Sequence, residues 1–119
     1  MKRFALRSRR VLIDGEERAA TLVIEEGKIR QILDHDEDPG CETEDLGELV
    51  LMPGVVDTHV HINEPGRTEW EGFNTATQAA AAGGITTVVD MPLNCTPVTT
   101  TAAALQEKID ALGDQLWVD

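Results

Sequence analysis

The sequence contains no apolar run approaching the roughly 20 residues that a membrane span requires, and no apolar stretch follows its N-terminus as in a secretory signal. Both absences set the expectation of a cytoplasmic protein without a membrane partner. Positive charge is also scarce: 10 Lys and Arg stand against 22 Asp and Glu, a formal net charge of -12 at pH 7. So acidic a chain repels phosphate backbones, which argues against nucleic acid as a partner. Five of the basic residues (Lys2, Arg3, Arg7, Arg9, Arg10) crowd the first ten positions. A transit peptide or a nucleic-acid arm would use such a cluster. Here Phe4 and Leu6 alternate with polar neighbours and Val11-Leu12-Ile13 follows, so the cluster reads as solvated positions on opening strands. The two cysteines, Cys41 and Cys95, have no CxxC or other metal-finger spacing. They read as reduced, non-ligating thiols, with a single disulfide as the alternative.

Against these absences, 41% of the 119 residues are apolar, enough for a compact core. From Arg3 to Leu33, short aliphatic runs are broken by the turn pairs Asp14-Gly15 and Glu26-Gly27, which predict β-hairpins. Asp34 to Glu48 holds eight acidic residues and Pro39-Gly40, and reads as an exposed loop. The texture changes at Pro53-Gly54. Beyond it the pattern predicts a strand over 55–62, a helix over 69–82, a strand over 85–91, a helix over 102–112 and a third strand opening at 116–118. That alternation is the order of a parallel sheet with helical crossovers. Thr68-Glu69-Trp70-Glu71 fits a capping box for the first helix, and Gly83-Gly84 supplies its stop. Leu105, Ile109 and Leu112 give the second helix an apolar stripe, after a cap region at Thr99-Thr100-Thr101.

The expected architecture is α/β, with a small β-sandwich-like domain over residues 1–52 followed by the start of a (β/α)₈ barrel over 53–119. A barrel takes about 250 residues, so the roughly 65 after Pro53 supply about two of its eight units and the chain reads as truncated.

Chemistry concentrates at Asp57-Thr58-His59-Val60-His61, at the carboxyl end of the first parallel strand. Side chains repeat every two residues along a strand, so Asp57, His59 and His61 share one face. Same-face neighbours lie about 6.6 Å apart, within reach of one cation at nitrogen–metal distances of about 2.0 to 2.1 Å. An isolated HxH could merely close a strand end. Parallel α/β folds, however, bind ligands at the carboxyl ends of their strands, and this places His59 and His61 as metal ligands. Asp57 is a candidate for orienting a ligand from behind, or for bonding to neighbouring backbone.

Pro53 to His61 resembles the first barrel strand of the amidohydrolase superfamily. The resemblance extends through Glu64-Pro65-Gly66-Arg67, Trp70-Glu71-Gly72-Phe73 and Ala80 to Asn94, where it is similar to the allantoinase branch. Its N-terminal β segment also resembles the small domain those enzymes carry beside the barrel. Dihydroorotases follow HxH, one residue on, with an arginine that binds a substrate carboxylate; Asn63 stands here, as suits an uncharged ureide ring. Leu93 likewise interrupts their Met-Pro-Asn pattern. Asn63 and Asn94 could each hydrogen-bond a ureide or simply shape a loop. Glu64 and Arg67 read as an ion pair within a structural turn, and Asp90 as a supporting residue near the site.

The resemblance implies hydrolysis of the cyclic amide of allantoin to allantoate. It implies two divalent metal ions, typically zinc, bridged by a carboxylated lysine, with further histidines and an aspartate. All of those groups would lie beyond Asp119, so the 119 residues alone are expected to be inactive. It also implies a homotetramer. The alternatives are another cyclic amidohydrolase (a hydantoinase, dihydropyrimidinase or dihydroorotase) and a non-catalytic relative serving in assembly.

Overall fold

A computed structural model describes residues 2–119. The chain forms two compact units, one ending at Pro53 and the other beginning at Gly54.

In the first unit, β1 (Phe4–Ile13), β2 (Glu16–Glu25) and β3 (Lys28–Asp34) form consecutive antiparallel hairpins. Both turns are built on left-handed pairs, Asp14 (φ 52°) with Gly15 (φ 84°) and Glu26 (φ 54°) with Gly27 (φ 71°). Two successive positive φ values match the right-handed twist of the flanking strands, which explains why these dipeptides stand there. Ala20 to Val23 are buried without alternation, so both faces of β2 are covered. Val11 packs against Ala20 and Leu22 on one face, with Ile13, Ile24 and Leu51 around them. Near the other, Arg7 donates to Thr21 Oγ1 at 3.0 Å and to the Glu37 carbonyl at 2.8 Å.

The acidic segment is not all loop. Glu42–Asp45 forms β4, parallel to Phe4–Arg7 of β1, and Val50–Leu51 forms β5, parallel to Arg10–Val11. Local composition disfavours a strand of acidic residues, but the unpaired edge of β1 supplies ladder hydrogen bonds and nearby cations. Lys2 pairs with Glu42, Arg9 with Glu48 at 3.3 Å and Arg10 with Glu17 at 2.9 Å. Three of the five residues of the basic cluster therefore pair with carboxylates of their own unit, and Arg3 and Arg7 bond to side-chain amide, hydroxyl or backbone carbonyl oxygens there.

In the second unit, β6 (Val55–Val60) and β7 (Ile85–Asp90) pair in parallel, joined by α1 (Phe73–Ala82); α2 (Ala102–Leu112) follows β7. The first helix starts four residues later than its sequence suggests. Its N-cap is Gly72, and the first amide is satisfied by Glu64 rather than by Thr68 and Glu71. The second helix begins as expected, with Thr101 Oγ1 accepting from the Ala104 amide at 3.2 Å. Its buried residues are Ala104 and Lys108, while Leu105 and Ile109 are half exposed at the rim of a cleft that Val88 also lines. Residues 116–118 form no strand, although the Asp119 backbone bonds to Thr86 and Val88 of β7 at 3.1 and 2.7 Å. Among the described residues, no helix is long and apolar enough to cross a membrane. Cys41 and Cys95 are both free thiols.

Candidate metal centre

His59 is on the last turn of pleat of β6 and His61 is the first residue but one beyond His59, just past the strand end at Val60. Their ring centroids stand 5.1 Å apart, and both side chains are exposed. Two imidazoles are thus held side by side at the carboxyl edge of the parallel pair. Asp57, half buried, accepts the His59 amide on Oδ1 at 3.1 Å.

The backbone around His61 is fixed on both sides. The Met91 amide donates to the Val60 carbonyl at 2.9 Å, and the Ile62 amide donates to Asp90 Oδ1 at 2.8 Å. Beyond these, the Asn63 amide donates to the Glu71 carbonyl at 2.9 Å, and the Asn63 carbonyl accepts from Arg67 at 3.0 Å. Asp90 is paired with Val60 in the ladder, and its bond to the Ile62 amide holds the peptide that follows His61. Its second carboxylate oxygen meets Lys108 Nζ in an ion pair whose side chains are only 15% and 11% exposed. Lys108 was not singled out by the sequence. A lysine beside a stripe of Leu and Ile reads as solvated, and its four-residue spacing from both Ala104 and Leu112 is the one signal in the sequence that puts it on their face of the helix.

The two asparagines differ. Asn63 is buried in the loop after β6, whereas Asn94 is exposed with φ 66°, a left-handed turn position that asparagine tolerates well. Glu64 does not pair with Arg67. Its Oε2 accepts the Phe73 amide at 2.9 Å, and Arg67 instead lies over the Trp70 ring at 5.0 Å. The two loops that follow the strands are themselves joined, since the Thr96 amide donates to the Pro65 carbonyl at 2.8 Å.

Neutral imidazoles are ligands for zinc and neighbouring transition metals, so the chemistry of this pair fits part of such a site. Among the described residues, no group of three or more His, Cys, Asp and Glu converges to hold a metal ion. Even an open catalytic zinc site takes three protein ligands, so this pair is a partial donor set.

The sequence model of the amidohydrolase family matches residues 50–118, the span that contains both histidines and Asp90. An allantoinase of Streptomyces avermitilis is 55% identical over 116 residues, covering 96% of this chain and 26% of that protein. A mitochondrial allantoinase of Aquarana catesbeiana is 47% identical over 116 residues, covering 96% of this chain and 24% of its own length. Among solved structures, the L-hydantoinase (dihydropyrimidinase) of Arthrobacter aurescens superposes with a TM-score of 0.83 at 33% identity, over 98% of this chain and 26% of that one. The chain therefore spans about a quarter of the length of the relatives it matches. With the family pattern covering more than half of its residues, the chain belongs to the amidohydrolase family.

Proposed function

We propose that the polypeptide containing these residues hydrolyses the cyclic amide of allantoin, water adding across the ring C–N bond to give allantoate. The observation that carries a metal-dependent hydrolase is the side-by-side placement of His59 and His61 at a strand end. The 55% identity to an allantoinase supports allantoin as the substrate. His59 and His61 would hold one of two divalent ions, zinc being the metal proposed. A metal bound there supplies Lewis acidity toward a ring carbonyl and activates water at neutral pH. Asp57 steadies the His59 backbone, and Asn63 and Asn94 are the proposed hydrogen-bonding contacts to the ureide. Residues 1–52 would form part of the small β domain, and residues 53–119 the first two strand–helix units of a (β/α)₈ barrel. Since the donor set is partial, the bridging carboxylated lysine and the other ligands come from elsewhere in the polypeptide, and the 119 residues alone do not turn over allantoin.

The test uses the full-length protein, assayed on allantoin, hydantoin, dihydrouracil and dihydroorotate before and after chelation and metal return. The expected result is fastest turnover of allantoin, lost on chelation, restored by zinc, and abolished in His59→Ala and His61→Ala. Faster turnover of dihydroorotate would overturn the substrate. Full activity in the histidine variants would overturn the site. A hydantoinase is the second reading, favoured by the 33% identity to the Arthrobacter enzyme, and the same panel separates it. The assembly proposed is a homotetramer in the cytoplasm, checked by light scattering and cell fractionation.

A further inference from the structure

Lys108 is a buried cation on α2 whose charge the proposed chemistry does not use. Its Nζ pairs with Asp90, lies 3.8 Å from Cys95 Sγ and stands 6.0 Å from the centre of the Phe73 ring. Three elements thus close around it: α2 that carries it, the first residue of α1, and the end of β7 with its following loop. Asp90 divides its carboxylate between this cation and the Ile62 amide, the peptide link that leaves His61. With both side chains mostly covered and each carboxylate oxygen engaged by its own partner, the carboxylate has one preferred orientation.

We propose that Lys108 is a positioning residue for His61: by fixing Asp90, it fixes the peptide after His61 and so the direction from which that imidazole meets the metal. The proposal rests on metal ligation by His59 and His61. Partners that orient metal ligands from behind matter to affinity by about 10- to 100-fold when removed. Here the device acts through the backbone rather than through the free ring nitrogen. Neutralising Lys108 should therefore alter the metal site even though the residue never touches it.

The experiment uses full-length protein stripped of metal and titrated with cobalt(II), whose visible absorption reports coordination geometry. Lys108→Met is expected to weaken cobalt binding by about tenfold and to shift the absorption bands, while circular dichroism stays that of the parent. Lys108→Arg, which keeps the cation, should recover most of the affinity. If Lys108→Met does not fold, the double variant Asp90→Asn/Lys108→Met, without an uncompensated buried charge, is compared with Asp90→Asn alone: equal cobalt affinity is expected because Lys108 acts only through Asp90, and a further loss in the double variant overturns the proposal. A folded Lys108 variant with unchanged cobalt affinity and spectrum overturns the positioning role. Equal loss in Lys108→Met and Lys108→Arg also overturns it, because packing and not charge would then be at work. His59→Ala and His61→Ala run in parallel. If they bind cobalt as the parent does, the metal-ligand reading itself has failed, and this proposal with it.

Discussion

The amide of Phe73 donates to Glu64 Oε2 at 2.9 Å, a bond that reaches back nine residues to cap the first helix of the parallel unit. Glu64 lies in the loop that follows the paired histidines, so the cap ties that loop to α1. A carboxylate at a helix N-terminus satisfies an orphan donor and meets the positive end of the helix dipole. Glu64→Ala is expected to destabilise the protein by about 1 kcal/mol, read as a lower urea midpoint with unchanged slope. A midpoint equal to that of the parent would show that the bond contributes nothing.

Gly72 makes this cap possible. A Cβ built there would lie 2.8 Å from Glu64 Oε2 and 2.8 Å from Thr68 Cγ2. Its φ of -102° is open to any residue, so a side chain there is opposed by crowding against two side-chain tips and not by conformation. Gly72→Ala should push the Glu64 carboxylate out of its bond and cost about 1 kcal/mol, the worth of the cap. In a Glu64→Ala background the same change should cost much less. A double-mutant cycle checks this, and strict additivity would mean that the two residues do not compete for one space.

The same cap shows where sequence and structure part. Thr68 to Glu71 satisfies a local capping pattern, whereas the acceptor used comes from Glu64, which local spacing does not point to. Features set by neighbouring residues were legible: the left-handed pairs Asp14-Gly15 and Glu26-Gly27, the Thr101 cap, and His59 and His61 brought side by side by strand alternation. Features set by partners distant in sequence were not. Glu42–Asp45 is a strand because β1 offers an edge, and Lys108 is buried because Asp90 lies across from it. No local propensity carries either fact.

Acid should weaken the first unit through Glu17. Arg10 donates to its carboxylate from Nε at 2.9 Å and Nη2 at 3.1 Å, and this hydrogen-bonded pairing holds the Glu17 carboxyl below the usual glutamate range. The folded state therefore takes up this proton at lower pH than the unfolded state. Its stabilising contribution is present above the unfolded glutamate value and is lost as pH falls through the depressed one. Glu17→Gln should narrow the difference between the urea midpoints at neutral and strongly acid pH. Because the pair is exposed, about 1 M salt should move the Glu17 midpoint in an NMR titration back toward the ordinary range. A midpoint insensitive to salt would contradict a solvent-screened pair.

Ser8 should be the costliest small polar residue to remove from the first unit. It is fully buried beside the irregularity in β1, where the pairing with β2 shifts between Ser8 and Val11. Its hydroxyl donates to the Leu49 carbonyl at 2.6 Å and accepts the Arg10 amide at 3.0 Å, bridging the bulged strand to the segment that leads into β5. Alanine at this position would remove both hydrogen bonds at once. Two bonds at about 0.5 to 1.5 kcal/mol each come to about 1 to 3 kcal/mol, so Ser8→Ala should lower the urea midpoint by more than Glu64→Ala does. Hydrogen exchange gives the local check: the Arg10 amide should exchange faster, while those of α1 and α2, in the other unit, should keep their rates. Unchanged protection at Arg10 would show that the bulge holds itself without the serine.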